Sequence, residues 1–225
     1  MQSIKEELSI RVEEINSVIN LLQLMEGGQI ESRSGTTNFI TVKTSMKAGI
    51  ILMLYNAVES TVTKCLERIH EELIYQNLMF DDCNDNLKQL VVVYYENVKS
   101  KVTDIHNEAP YILKFHEYVT GNRGFGLTYQ QMSKFYSLYS GNLDSREIKT
   151  VLDKYGIDFQ ERISELKTIK DRRNQLAHGE LSFEEVGRGL SLQQLDHMRE
   201  TTFSYLEKIV DEIKKYIEGK QYKRE

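Results

Sequence analysis

The chain has 225 residues, enough to bury a core, and its 40% apolar and 28% charged content belongs to a folded rather than a disordered protein. A net charge of -5 argues against a surface that coats nucleic acid everywhere, although it leaves room for a local basic groove. Two cysteines, Cys65 and Cys83, form neither a disulfide framework nor a zinc spacing, so a reducing, cytoplasmic setting is expected.

The opening QSIKEELSIRVEEI is charged and lacks the apolar core of a signal peptide. The longest apolar run, Ala48 to Tyr55, is too short to span a bilayer, and no membrane partner is expected. Proline is excluded from helix interiors, and a single one, Pro110, permits helix nearly throughout. Ile4, Leu8, Val12, Ile15, Ile19 and Leu22 recur at three- or four-residue steps, which predicts an amphipathic helix ending near Gly27–Gly28. The following SRSGTTN is a loop by composition. A long second helix is expected from about Thr44 to Tyr75, and its Ile50–Leu54 portion, apolar on several faces, marks it as central.

Asn86 to Val98 reads as a further helix, although VVVYY alone suits a strand. GNRGFG, Gly121 to Gly126, lies between aromatic segments and not between a strand and a helix, so it reads as a turn, not a phosphate cradle. Thr128 with Gln131 makes a capping-box signature for a short helix to Tyr139. Asp144 with Glu147 and Asp158 with Glu161 repeat that signature, and Ser191 with Gln194 opens a last helix carrying Leu195, Met198, Phe203, Leu206, Ile209, Ile213 and Ile217 inward. The expectation is an all-α chain of about seven helices, with an arm and loop over 1–43 and a helical domain over 44–225.

No clustered His/Cys set offers a metal site, and FDDCNDN, Phe80 to Asn86, lacks the glycine and terminal glutamate of a calcium loop. It reads instead as a solvated connection with a helix cap. No metal and no cofactor are expected. His70, His106, His116 and His197 stand alone on charged or mixed faces and read as surface or boundary residues. Tyr94–Tyr95 and the group Phe135, Tyr136 and Tyr139 suit core or interface packing, with stacking on bases as the second use.

One stretch combines dense positive charge with a histidine: KDRRNQLAHGE, Lys170 to Glu180. On a helix Asn174 and His178 share a face, whereas Arg173 and His178 lie about 140° apart at about 100° per residue. A single helix cannot easily clamp a substrate between the two, but two copies about a twofold axis could gather two arginines and two histidines around one cleft. Phosphodiester cleavage suits such a cleft: imidazole moves a proton near neutral pH, and guanidinium stabilises the extra charge on phosphorus. With RNA the 2′-OH can serve as nucleophile. The same residues also suit a plain polar helix C-terminus, with His178 at the negative end of the dipole and Gly179 as the stop.

Arg173-Asn174-Gln175-Leu176-Ala177-His178 resembles the Arg-polar-x3-His motif of HEPN domains, the helical "higher eukaryotes and prokaryotes nucleotide-binding" superfamily. LYNAVEST, Leu54 to Thr61, resembles the first long HEPN helix. SGNLDSREIKTVLDKYGI and HGELSFEEVGRGLSLQQL resemble a bacterial branch found in toxin–antitoxin and phage-defence settings, and the likeness spans roughly 44 to 217. The resemblance implies a HEPN-like helical bundle preceded by an extra N-terminal helix. It also implies a homodimer with facing motif helices and a metal-independent endoribonuclease, with RNA as substrate and an antitoxin or defence-system protein as a possible partner. Within it Arg173 takes the role of phosphate stabiliser, His178 of acid–base residue, and Asn174 of the polar residue that orients histidine or substrate. Charge and proximity add Lys170 and Arg172 as RNA-backbone contacts, and Glu59 as a supporting partner from the first HEPN-like helix. Some HEPN toxins carry a modifiable tyrosine two residues after the histidine; here that position is Glu180. Two other readings use the same residues: a catalytically inactive module that binds nucleotide, RNA or protein, and a helical dimer in which Arg173 makes an intersubunit ion pair.

Overall fold

The computed structural model describes residues 1–29, 39–102, 105–139 and 141–224, and for 105–108 the backbone alone. The SRSGTTN loop and the side chain of His106 lie outside the described residues. The chain is all-α: nine helices and no strand are found among the described residues, two more helices than the sequence suggested. They are α1 (Gln2–Glu26), α2 (Phe39–Tyr75), α3 (Asp85–Lys101), α4 (Ile105–Val119), α5 (Tyr129–Phe135), α6 (Ser145–Asp153), α7 (Glu165–Ala177), α8 (Phe183–Arg188) and α9 (Leu192–Glu218).

Helix α2 is the axis of the fold because it is apolar around much of its circumference. Ala48, Ile50, Ile51, Leu54, Ala57 and Val58 are all buried, and α1, α7, α8 and α9 pack around them. The N-terminal stripe falls as its period requires: Ile4, Leu8, Ile15, Ile19 and Leu22 are buried, and they lay α1 against α2 and α9. On the other side α9 buries Leu195, Phe203, Leu206, Ile209 and Ile213, while Met198 and Ile217 pack at the margin. The short α8 comes closest to the axis. A Cβ on Gly187 would fall inside the Thr44 backbone, so this crossing admits no side chain.

The strand-like VVVYY is settled by periodicity. Leu87, Leu90, Val91, Tyr94 and Val98 face the core at helical spacing, and Val92 and Val93 are left exposed. The caps at Thr128, Ser191 and Asp144 form as expected. Thr128 and Ser191 each make a full capping box, and the Asp144 carboxylate accepts from Arg146 N and Glu147 N. FDDCNDN is a connection whose Asn84 caps α3.

Four expectations are corrected. Helix α5 ends at Phe135, short of Tyr139. Asp158 and Glu161 start no helix, because Ile157 and Phe159 are both buried and pin that segment as a loop until Glu165. Pro110 lies inside α4, where it withholds one backbone donor from the helix. His70 is no boundary residue: it is buried to 1% exposure, between Leu127 and Tyr155. His116 and His197 are exposed, as expected.

Among the described residues, no helix is long and apolar enough to cross a membrane.

Candidate active site

Helix α7 carries the RNQLAH segment and ends in a turn that fixes where His178 sits. Ala177 is its last helical residue and His178 the cap, with its backbone N–H on Asn174 O at 2.9 Å. Glu180 N reaches back to Gln175 O and Gly179 N to Leu176 O, the pairing of a Schellman stop. Gly179 adopts φ 68°, which an L-residue reaches at a cost of about 1–2 kcal/mol. No atom crowds the position, so Gly179→Ala should cost that strain alone. A thermal melt should show a drop of a few degrees, with Gly179→Asn closer to wild type.

Arg173 lies half-buried on the inner side of α7. Its guanidinium stacks over the Tyr55 ring, 4.4 Å from the centroid, donates from Nη1 to Asn174 Oδ1 at 2.9 Å, and stands 3.9 Å from Glu59 Oε2. Asn174 is held in turn by Asn142, its Nδ2 donating to Asn142 Oδ1 at 2.8 Å. Tyr55 is fixed at both ends of its hydroxyl. It donates to Gly141 O at 2.7 Å, and Leu143 N donates to it at 3.2 Å. Burial, with the Glu59 carboxylate close by, pushes the Tyr55 phenol up to about 12, so the ring stays a neutral platform for the cation. Arg173, Asn174 and Glu59 therefore lie together, joined by Tyr55 and Asn142, and Asn174 engages the arginine rather than His178.

His178 stands apart. Its side chain is exposed and bonds to nothing among the described residues, and no bond joins it to Arg173 within the chain. The roughly 140° between the two positions thus persists as an inner arginine and an outer histidine.

Lys170 is not free: it donates to Asp144 Oδ2 at 2.5 Å, in a pair that is largely buried. Burial alone would raise the Asp144 carboxyl, but the Lys170 hydrogen bond and two backbone N–H bonds outweigh it and hold the group below its ordinary range. Arg172 is half-exposed and makes no ion pair among the described residues. An open groove continues from Glu59 along α2 past Ser60 and Lys64, walled by Arg11 and Tyr139. Its mixed charges do not form a basic track. Among the described residues no group of three or more His, Cys, Asp or Glu could hold a metal ion.

The signal for Tyr55 was present in the sequence, since it precedes Glu59 by one helical turn within LYNAVEST. Asn142 carried none, because its bond to Asn174 is purely tertiary.

The family described as HEPN_MAE_28990-like HEPN matches residues 1–222. The chain belongs to the HEPN family. No curated protein and no solved structure matches it. HEPN membership supports a nucleotide- or RNA-related function in general terms, in a family whose members are often ribonucleases and often work as dimers. In this HEPN chain the match takes in α1 as well as the bundle that holds Arg173 and His178.

Proposed function

We propose that the protein is a metal-independent endoribonuclease whose site is completed by a second copy of the chain. It would act in the cytoplasm as a toxin or abortive-infection effector, with an antitoxin or defence-system protein as its partner. The supporting observation is the contrast between the two motif residues. Arg173 is held in place by Tyr55, Asn174 and Glu59, whereas His178 is exposed at a fixed helix end with its imidazole unengaged.

In the proposed dimer the two α7 C-termini face each other across a twofold axis. His178 of one copy then takes the 2′-OH proton or protonates the leaving 5′-oxygen, while Arg173 stabilises the charge that develops on phosphorus. One Nη1 bond to Asn174 leaves other guanidinium protons for phosphate oxygens. Asn174 fixes the guanidinium plane, and Glu59 limits its swing. Arg172 is the better candidate for a backbone contact, since the charge of Lys170 is largely balanced by Asp144.

A second reading, a HEPN module that binds without cutting, is favoured by the net charge of -5 and by the ties that Arg173 makes within its own chain. RNA cleavage in EDTA by wild type and by the double variant Arg173→Ala/His178→Ala, with sedimentation to establish the dimer, separates the two. Cleavage that needs Mg²⁺, or persists in the double variant, would overturn the nuclease mechanism. RNA or nucleotide binding with no cleavage by the wild-type dimer would establish the module.

A further inference from the structure

On the side of the fold formed by α3, α4 and α5, away from the RNQLAH segment, lies a cavity of about 560 Å³. Its size falls within the range of small-molecule sites. Six aromatic residues wall it, Tyr94, Tyr95, Tyr111, Tyr118, Phe125 and Phe135. Three cations, Lys114, Arg123 and Lys134, also line it, and among the described residues no carboxylate does, in a chain where acids outnumber bases 34 to 29. Lys114 and Lys134 have no ion pair among the described residues, and Arg123 has one at 3.4 Å to Glu117, both partners about half exposed.

The hydroxyls give an independent pointer. Tyr94 lines the cavity with Tyr95 and Tyr111, and its hydroxyl bonds to nothing among the described residues. Neither of those two hydroxyls has a hydrogen-bond partner among the described residues. The three unpaired phenols therefore offer hydroxyl groups to a polar occupant of the cavity. The rings are ordered by their own packing: Tyr94 and Tyr95 meet edge to face at 4.9 Å, as do Tyr111 and Phe135 at 5.3 Å. Tyr111 and Phe135 are half-buried, so part of each ring is left to an occupant. The GNRGFG loop that supplies Arg123 is docked rather than loose: Phe125 N bonds to Leu78 O at 2.8 Å, and Phe125 is buried.

We propose that this cavity is a second, small-molecule site that takes a nucleoside phosphate, with the base against the aromatic wall and the phosphate on the cationic rim. A planar aromatic group suits ring walls, hydroxyl donors suit ring nitrogens and carbonyls, and Lys and Arg suit phosphate oxygens. The site shares no lining residue with the Arg173–Tyr55–Glu59 constellation, so it stands or falls independently of the nuclease mechanism.

Calorimetric titration of the full chain with adenosine 5′-monophosphate, adenosine and inorganic phosphate as separate probes tests it. The monophosphate should bind, and each half alone should bind at least about tenfold more weakly, since each lacks the other's contacts. Lys114→Gln/Arg123→Gln should weaken the monophosphate at least about tenfold, and Tyr94→Phe about fivefold, the worth of one hydrogen bond. All three residues can be changed without opening a void, and thermal melts confirm that the variants fold. No binding by the monophosphate would overturn the proposal. So would phosphate binding as tightly as the monophosphate, or binding that survives the Lys114/Arg123 change but is lost in Arg173→Ala.

Discussion

His178→Ala is expected to lower metal-free RNA cleavage by at least about 100-fold, the usual weight of a general acid–base residue, while the melting temperature stays at the wild-type value. The exposed imidazole contributes no bond to the fold, so its loss removes chemistry and little else. Arg173→Ala should behave differently. Cleavage should fall by a comparable factor, as when one donor to a developing oxyanion is removed. Stability should fall too, by about 1–2 kcal/mol, because the cation over Tyr55 and the bond to Asn174 tie α7 to α2. Arg173→Lys retains the charge but loses the planar stack and the fork of donors, so it should recover little of either property. Paired cleavage assays and thermal melts on the three variants read both effects. If the wild type never cleaves RNA and Arg173→Ala loses only stability, the arginine is a structural latch.

That division of labour was partly visible in the residues. Capping chemistry is local, and Thr128 with Gln131 and Ser191 with Gln194 could be read directly because three neighbouring residues decide the outcome. Asp158 with Glu161 looked the same but lost to burial: Ile157 and Phe159 must both enter the core, which a helix start there would prevent. Ser182 with Glu185 is a true capping box that opens a helix too short to announce itself by periodicity. Within the site, the five-residue spacing separates Arg173 and His178 by about 140° on a helix, and the fold decides that the arginine faces inward and the histidine outward. Of the groups that hold the arginine, Glu59 was legible in the sequence, and Tyr55 lay one turn before it. Asn142 was out of reach, since it meets α7 only after the chain has folded. His70 was misjudged because Glu67, Arg68, Glu71 and Glu72 surround it in sequence. Yet it is four residues after Leu66 and three before Leu73, on the buried stripe.

The burial of His70 has a consequence in acid. Its two ring nitrogens lie 2.7 Å from Leu127 O and 2.8 Å from the Tyr155 hydroxyl. A carbonyl can only accept, so Nδ1 carries the proton and Nε2 accepts from Tyr155, which fixes one neutral tautomer. Burial drives the group down from 6.5 to about 4, and the Leu127 bond opposes that shift only in part. Above pH 6.5 the imidazole is neutral in folded and unfolded chains alike, and the full stability is present. As the pH falls from 6.5 towards 4 the unfolded chain takes up the proton and the folded one does not, so stability is lost across that window, by about 3 kcal/mol at its lower end. Asp144, held below its ordinary 3.8, loses its contribution in more acid solution. His70→Gln isolates the effect, because an amide can still donate to Leu127 O and accept from Tyr155 but does not titrate. Urea unfolding of the two proteins at pH 7, 5.5 and 4.5 should show the wild type losing stability progressively relative to the variant. Equal slopes for the two proteins would mean that the Tyr155 hydroxyl rotates to accept from an imidazolium, and that the site tolerates the charge.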